Sequence, residues 1–263
     1  MKRYLALTRA SFQEWMAYRL GFFFTIIGNI VYLGVAYYLW SSIYEHSTVI
    51  RGMTFNETFI YVALGSAVFI LLKTYADWVI SFEVREGIIA IYLTKPLDFQ
   101  LYALFSSLGS ILMNLAAISV PTILVLTLVF KIQVTLGLGL FLFPISIFFA
   151  VLISFCFDYF IGISAFYTES TWGIAVTKDV IITVFSGALL PLQFFPDAIQ
   201  KVLLMLPFQA IYHTPLMMIT RPDQGWDVFG PMLLTQVFWI AALFLLTRLY
   251  YNQAIKVLRI SGG

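Results

Sequence analysis

Charge is scarce in this sequence. Asp, Glu, Lys and Arg make up 11% of residues against 61% hydrophobic, and the mean hydropathy is +0.93. Water-soluble domains carry about a quarter of their residues as charges. A soluble globular protein is therefore excluded, and a polytopic protein with a single transmembrane domain over residues 1–263 remains. Cysteine is nearly absent: Cys156 stands alone inside an apolar run, which excludes an intrachain disulfide framework and a thiol cluster for metal. The two histidines, His46 and His213, have no Cys, His or carboxylate at ligand spacing, so no metal site is expected. Phosphate-cradling loops are also missing, since there is no G-x-x-x-x-G-K-[S/T] and no Gly-Lys pair. The 15 basic and 13 acidic residues are scattered between apolar runs, so nothing points to nucleic acid. No triad, paired carboxylates or activated nucleophile stands out, and no internal repeat is present.

What is present is a series of long apolar runs. Hydropathy predicts an all-α polytopic membrane protein with six transmembrane helices, at about 20–40, 59–80, 101–130, 138–166, 174–190 and 229–249. Residues 1–19 precede a run too long for a signal core, with no small-residue cleavage site after it, and are expected to be retained. There Leu5, Phe12 and Met16 share one helical face with Tyr4 and Trp15 beside them, and Arg3 and Glu14 lie opposite. That pattern fits an amphipathic helix on the membrane surface; a frayed charged tail is the alternative. Asn56-Glu57-Thr58 fits a glycosylation acceptor, a tripeptide common by chance.

Between the last two runs lies a segment too apolar for an ordinary loop. Pro191, Pro196, Pro207 and Pro215 cut it into pieces of about ten residues, each ~15 Å if helical, roughly half of a ~30 Å hydrocarbon core. Two short helices that enter the membrane and return are expected over 187–219, the second beginning at Pro196-Asp197. Non-helical backbone at that depth must be covered by protein or line a wet cavity. Lys and Arg set the orientation. With both termini cytoplasmic, ten basic residues (among them Arg85, Lys95, Lys178 and Arg259) lie inside and four (Arg51, Lys131, Lys201 and Arg221) outside, with Lys73 set aside. The 187–219 segment is then external.

The largest inner loop runs from Ser81 to Asp98. Ile88, Ile91 and Tyr92 share one helical face and Glu83 and Glu86 another, with Lys95-Pro96 as the stop. Such a helix over 82–97 either rests on the surface or docks into a partner's groove, and spacing alone does not choose. Glu86-Gly87, an apolar run, then Leu93-Thr94-Lys95-Pro96-Leu97 resembles the E-G-T-L-…-L-L-T-x-P segment of type-2 ATP-binding-cassette exporter permeases. Ile88 and Ile89 replace the usual Thr-Leu. Gly187-Ala-Leu-Leu-Pro-Leu, Phe195-Pro196, Leu206-Pro207-Phe208 and Pro215 resemble the external hairpin of the same family, so the resemblance spans nearly the whole chain.

The resemblance implies a dimer with an identical or related second permease subunit in the cytoplasmic membrane. Each copy would be bound to a cytoplasmic ATPase that holds ATP and Mg²⁺; this chain would hold no cofactor. Residues 82–97 would be the coupling helix, with Glu83, Arg85, Glu86, Gly87, Lys95 and Pro96 as its contacts. Residues 187–219 would be the external gate, with Phe194, Phe195, Pro196, Pro207 and Phe208. The implied cargo is amphiphilic or hydrophobic, drug-like or lipid-like. A lipid-linked glycan or a peptide is the alternative cargo, and a non-transporting anchor or assembly subunit the alternative role.

Charges inside the apolar runs are the remaining candidates, because such groups are costly in lipid. Lys73 and Asp77 stand four apart and are expected to pair on one helical face; either a pathway role or a self-neutralised interfacial pair fits them. Asp158 has no local partner in the sequence. Lys178-Asp179 is expected only to mark the start of the fifth span.

Overall fold

The structure is a computed structural model that describes residues 2–17, 19–130 and 136–257. Lys131 and Arg259, two of the charges that set the orientation, lie outside the described residues. Twelve α-helices are described: α1 (Lys2–Trp15), α2 (Arg19–Ile43), α3 (Phe55–Leu71), α4 (Ala76–Arg85), α5 (Ile89–Leu93), α6 (Phe99–Asn114), α7 (Val120–Leu128), α8 (Leu138–Ile163), α9 (Trp172–Phe185), α10 (Asp197–Leu203), α11 (His213–Thr220) and α12 (Trp226–Ala254). One small hairpin, β1 (Val49–Ile50) with β2 (Met53–Thr54), was not anticipated. Its turn residues Arg51 and Gly52 both have positive φ, the geometry that matches the twist of a tight hairpin.

Five helical stretches are long and apolar enough to cross a membrane: Leu20–Ile43, Phe55–Arg85, Phe99–Leu128, Leu138–Phe166 and Trp226–Val257. The protein is thus an all-α polytopic membrane protein. The stretch expected as a fifth span in chain order is shorter. Helix α9 has 14 residues, ~21 Å at 1.5 Å per residue, and irregular backbone follows at Ser186.

Two of the crossings are interrupted, each for a local reason. Pro121 cannot donate to the preceding turn and would clash with it, and a π-helical turn over Leu115–Ser119 joins α6 to α7 just before it. Between α3 and α4 the chain breaks over residues 72–75, where Tyr75 adopts φ +55°. The carbonyls freed there find donors on other helices: Asn114 Nδ2 reaches Ile70 O at 3.0 Å and Ser154 Oγ reaches Leu72 O at 3.2 Å. An unpaired carbonyl in lipid is costly, so these polar side chains are what makes the break tolerable.

Helix α3 is the most buried crossing, with Thr58 to Gly65 enclosed throughout. It begins in a capping box, in which Thr54 and Glu57 satisfy each other's backbone amides. Thr58 is buried and shares a 2.7 Å hydrogen bond with the Tyr44 hydroxyl, so the Asn56-Glu57-Thr58 tripeptide takes part in helix packing. Gln236 joins three elements: its amide donates to Ser146 O at 3.1 Å and Ala210 O at 2.8 Å, while Ser146 Oγ donates to its Oε1.

Helix α1 lies along α6. A Cβ at Gly109 would stand 2.5 Å from Ser11, so only glycine permits this approach. Thr8 Oγ1 donates to Phe105 O at 2.6 Å, and Tyr4 stacks on Phe105 at 5.2 Å. The face in use is Tyr4, Leu7, Thr8, Ser11, Phe12 and Trp15, which keeps Tyr4, Phe12 and Trp15 of the expected stripe but not Leu5, 57% exposed, or Met16, which also points outward. Small hydroxyl residues opposite glycine set the close approach, and they turn the packed side away from Leu5 and Met16.

Candidate functional site

The break between α3 and α4 gathers the charges that the apolar runs carry. Lys73 and Asp77 do not pair with each other, because the chain no longer follows one helical face between them. Lys73 Nζ meets Asp179 at 2.8 Å, and Asp77 meets Lys178 at 2.9 Å. Lys178 also contacts Asp158, and Asp179 at 3.1 Å. Asp158, without a partner in the local sequence, accepts from Lys178 and from the Thr74 hydroxyl. Lys178 and Asp179 therefore do more than open a span: they tie α9 to α4 and α8. The side chains of Lys178, Asp77 and Asp158 are about nine-tenths buried, while Lys73 (30% exposed) and Asp179 (42%) form the open end. Beside that end lies a cavity of about 410 Å³ walled by Trp15, Tyr75, Trp78 and Trp172. A second cavity of about 470 Å³, mostly apolar, lies between α2, α3 and α9.

On the predicted inner side, one continuous helix over 82–97 is not what forms. Gly87 takes φ +69°, its amide returns to Val84 O at 3.2 Å, and α4 ends. The short α5 follows at an elbow. Glu83 is turned inward: Tyr102 Oη donates to its Oε1 at 3.2 Å, and its buried Oε2 has no hydrogen-bond partner among the described residues. Tyr92 packs on Tyr102 with ring centroids 4.4 Å apart, and Lys95 Nζ sits 4.7 Å above the Tyr92 ring. Burial and the phenol of Tyr102 act on Tyr92 in opposite senses, with a net rise of its pKa above the ordinary tyrosine value. Arg85, Glu86, Gly87, Ile91, Lys95 and Pro96 are exposed. Five of the six residues proposed for coupling thus share the open surface of the elbow, and Glu83 supports it from within.

The opposite end holds the proline-cut segment. Past α9, Gly187 takes φ +85°, and a Cβ there would stand 2.6 Å from the Tyr61 hydroxyl. A 3-10 turn over Leu192–Phe194 leads to α10, which starts at Asp197 as the Pro196-Asp197 pair predicts but is the first helix of the segment, not the second, because only that turn precedes it; a second turn over Pro207–Ala210 leads to α11. The expected gate aromatics divide. Phe194 meets Trp40 edge-on at 5.3 Å, Phe208 stacks on Phe157 at 5.6 Å, and Pro207 is buried. Phe195 is half-buried and Pro196 exposed. The open apolar surface is carried instead by Leu189, Ile199, Val202 and Met205, the last 74% exposed. Positions 199, 202 and 205, three apart over α10 and just past its end, mark this face in the sequence. His213 is enclosed, its Nδ1 3.3 Å from the Tyr61 hydroxyl.

Residues 30–262 match the family model for ABC-2 family transporter proteins. The chain belongs to the ABC-2 transporter family. It is a multi-pass permease subunit of an ABC transporter, and members of this family are membrane subunits that generally pair with a separate ATPase. The matched range of this ABC-2 permease includes the elbow, the charged cluster and the proline-cut segment alike. A search of curated proteins found no match to the chain.

Proposed function

We propose that this ABC-2 permease exports an amphiphilic or hydrophobic molecule across the cytoplasmic membrane. It would work as a dimer, with an ATPase seated on the elbow of each copy. The observation that carries this reading is a continuous mechanical path. The exposed elbow is the end of α4, α4 is tied through Asp77 to Lys178 on α9, and α9 runs into the proline-cut segment. Force applied by an ATPase at Glu86, Gly87 and Lys95 would reach the far side through α9. In this reading α9 with residues 186–190 supplies the sixth crossing, both termini are cytoplasmic, and the proline-cut segment is the outer gate.

Orientation is tested by cysteine labelling in a Cys156-free background. Positions 90 and 255 are expected to label only from the cytoplasmic side, and outside-only labelling would sink the topology. The role is tested by co-purification with the cognate ATPase, whose hydrolysis rate this subunit should alter; a bare anchor would leave hydrolysis unchanged. The gate is tested at α10. A Met205→Cys variant should cross-link between two copies in the resting state and lose the cross-link when ATP is trapped. Cysteine at 194 should not cross-link, because Phe194 is already covered by Trp40. Efficient cross-linking at 194 with none at 205 would place the contact on the other side of the segment.

A further inference from the structure

The two cavities are lined by nearby positions of the same two walls. Phe69 and Thr183 line the apolar cavity, and Lys73 and Asp179, four positions away on each wall, line the charged one. The Lys73 ammonium sits 5.1 Å from the centre of the Phe69 ring, and Thr183 Oγ1 donates to Asp179 O at 2.7 Å. From the one cavity to the other the lining changes from indoles and charges to glycines and apolar side chains. Both cavities have the size of ligand sites. We propose that the two cavities act as one groove that binds a zwitterionic amphiphile bearing a phosphate and an ammonium group, with its headgroup at Lys73 and Asp179 and its tail between α2 and α3. The inference rests on the exporter reading only in making this molecule the cargo.

Charge complementarity selects the headgroup. Charges line this cavity from four places, Lys73 from the break, Asp77 from α4, Asp158 from α8, and Lys178 and Asp179 from α9, while α1 supplies Trp15. Lys178 is held by the two enclosed carboxylates, so a ligand meets the half-open Lys73–Asp179 pair. A purely anionic headgroup would face three carboxylates here, and a purely cationic one two ammonium groups. A zwitterion can offer phosphate to Lys73 and its cation to Asp179 at once. The indoles of Trp78 and Trp172, both largely exposed, add the aromatic faces that attract ammonium groups. For the tail, Gly28 leaves the apolar slot open, since nothing lies within 4 Å of where its Cβ would stand.

The test uses the full chain purified in a neutral maltoside detergent. Phosphatidylcholine, phosphatidylglycerol and diacylglycerol are added in equal amounts, and retained lipid is counted by native mass spectrometry. Wild type is expected to keep one phosphatidylcholine per chain with at least tenfold preference over the other two. Lys73→Met with Asp179→Asn removes a whole ion pair and should abolish that preference. Gly28→Leu fills open space, so the fold is spared; it should block the long-chain lipid while a short-chain phosphocholine still quenches tryptophan fluorescence. Equal retention of the three lipids by wild type, or an unchanged preference in the double variant, overturns the proposal. Association with the ATPase is measured on the same preparations. Lipid preference without an ATPase keeps this site and defeats the exporter reading; an ATPase without lipid preference does the reverse.

Discussion

Lys178→Met is expected to destabilise the protein by about 3–5 kcal/mol, the cost of leaving enclosed charges without their counterion. Lys178 is the shared partner of Asp77, Asp158 and Asp179, and its side chain is 9% exposed. Lys73 cannot take its place, since it is spent on Asp179 and sits at the open end of the cluster. After the substitution Asp77 and Asp158 would face each other with no cation between them. They must bind a proton or separate, and separation loosens α9, whose buried residues are only Ala175 and Ile182. Unfolding of the purified chain in detergent, by heat or by a denaturing detergent, measures the loss. A triple variant with Asp77→Asn and Asp158→Asn added should recover most of it, because removing an entire buried ion cluster is often close to neutral. The triple variant then separates folding from force transfer: it should fold and assemble yet transport poorly. An unfolding midpoint for Lys178→Met equal to that of the wild type would show that the cluster holds nothing together.

The apolar runs were legible because a membrane crossing is specified by composition over about 20 residues, and that needs no knowledge of neighbours. The proline-cut segment was legible for a related reason. Proline acts on its own backbone, so the start of α10 at Asp197 could be read directly. The break at residues 72–75 could not be. No proline or glycine marks it, and its free carbonyls are satisfied by Ser110, Asn114 and Ser154 from distant parts of the chain. Without the break, four-residue spacing gives Lys73 and Asp77 to each other, and Lys178 and Asp179 only mark the start of a span. The packing side of α1 was hidden in the same way, because Gly109 on another helix selects Thr8 and Ser11 over Leu5 and Met16. Gly87 is expected as a contact within one helix over 82–97, whereas its positive φ lies just past the end of α4 at Arg85 and turns the chain there.

Gly87→Trp is expected to lower transport at least tenfold while leaving the permease folded and in the membrane. The position combines two properties. Its φ of +69° disfavours any L side chain by roughly 1–2 kcal/mol, yet nothing within 4 Å would clash with an added Cβ. The chain itself can therefore accept the indole at modest cost, and the bulk projects from the elbow beside exposed Glu86 and Lys95. A seated ATPase could not accept it. Loss of ~1.4 kcal/mol at that contact already shifts the coupled population tenfold. Gly87→Asn serves as the control for backbone geometry, since asparagine tolerates the left-handed region and is small; it should retain most transport. Gly87→Ala should fall between them in stability but not in coupling. The measurements are transport and hydrolysis in proteoliposomes, with co-purified ATPase as the assembly readout. If the tryptophan variant transports and hydrolyses ATP as wild type does, the elbow is only a surface turn. If asparagine and tryptophan fail equally, the backbone conformation matters and the docking contact lies elsewhere. A tryptophan variant that keeps the ATPase bound but loses stimulated hydrolysis would mark the elbow as the place where force enters the membrane domain.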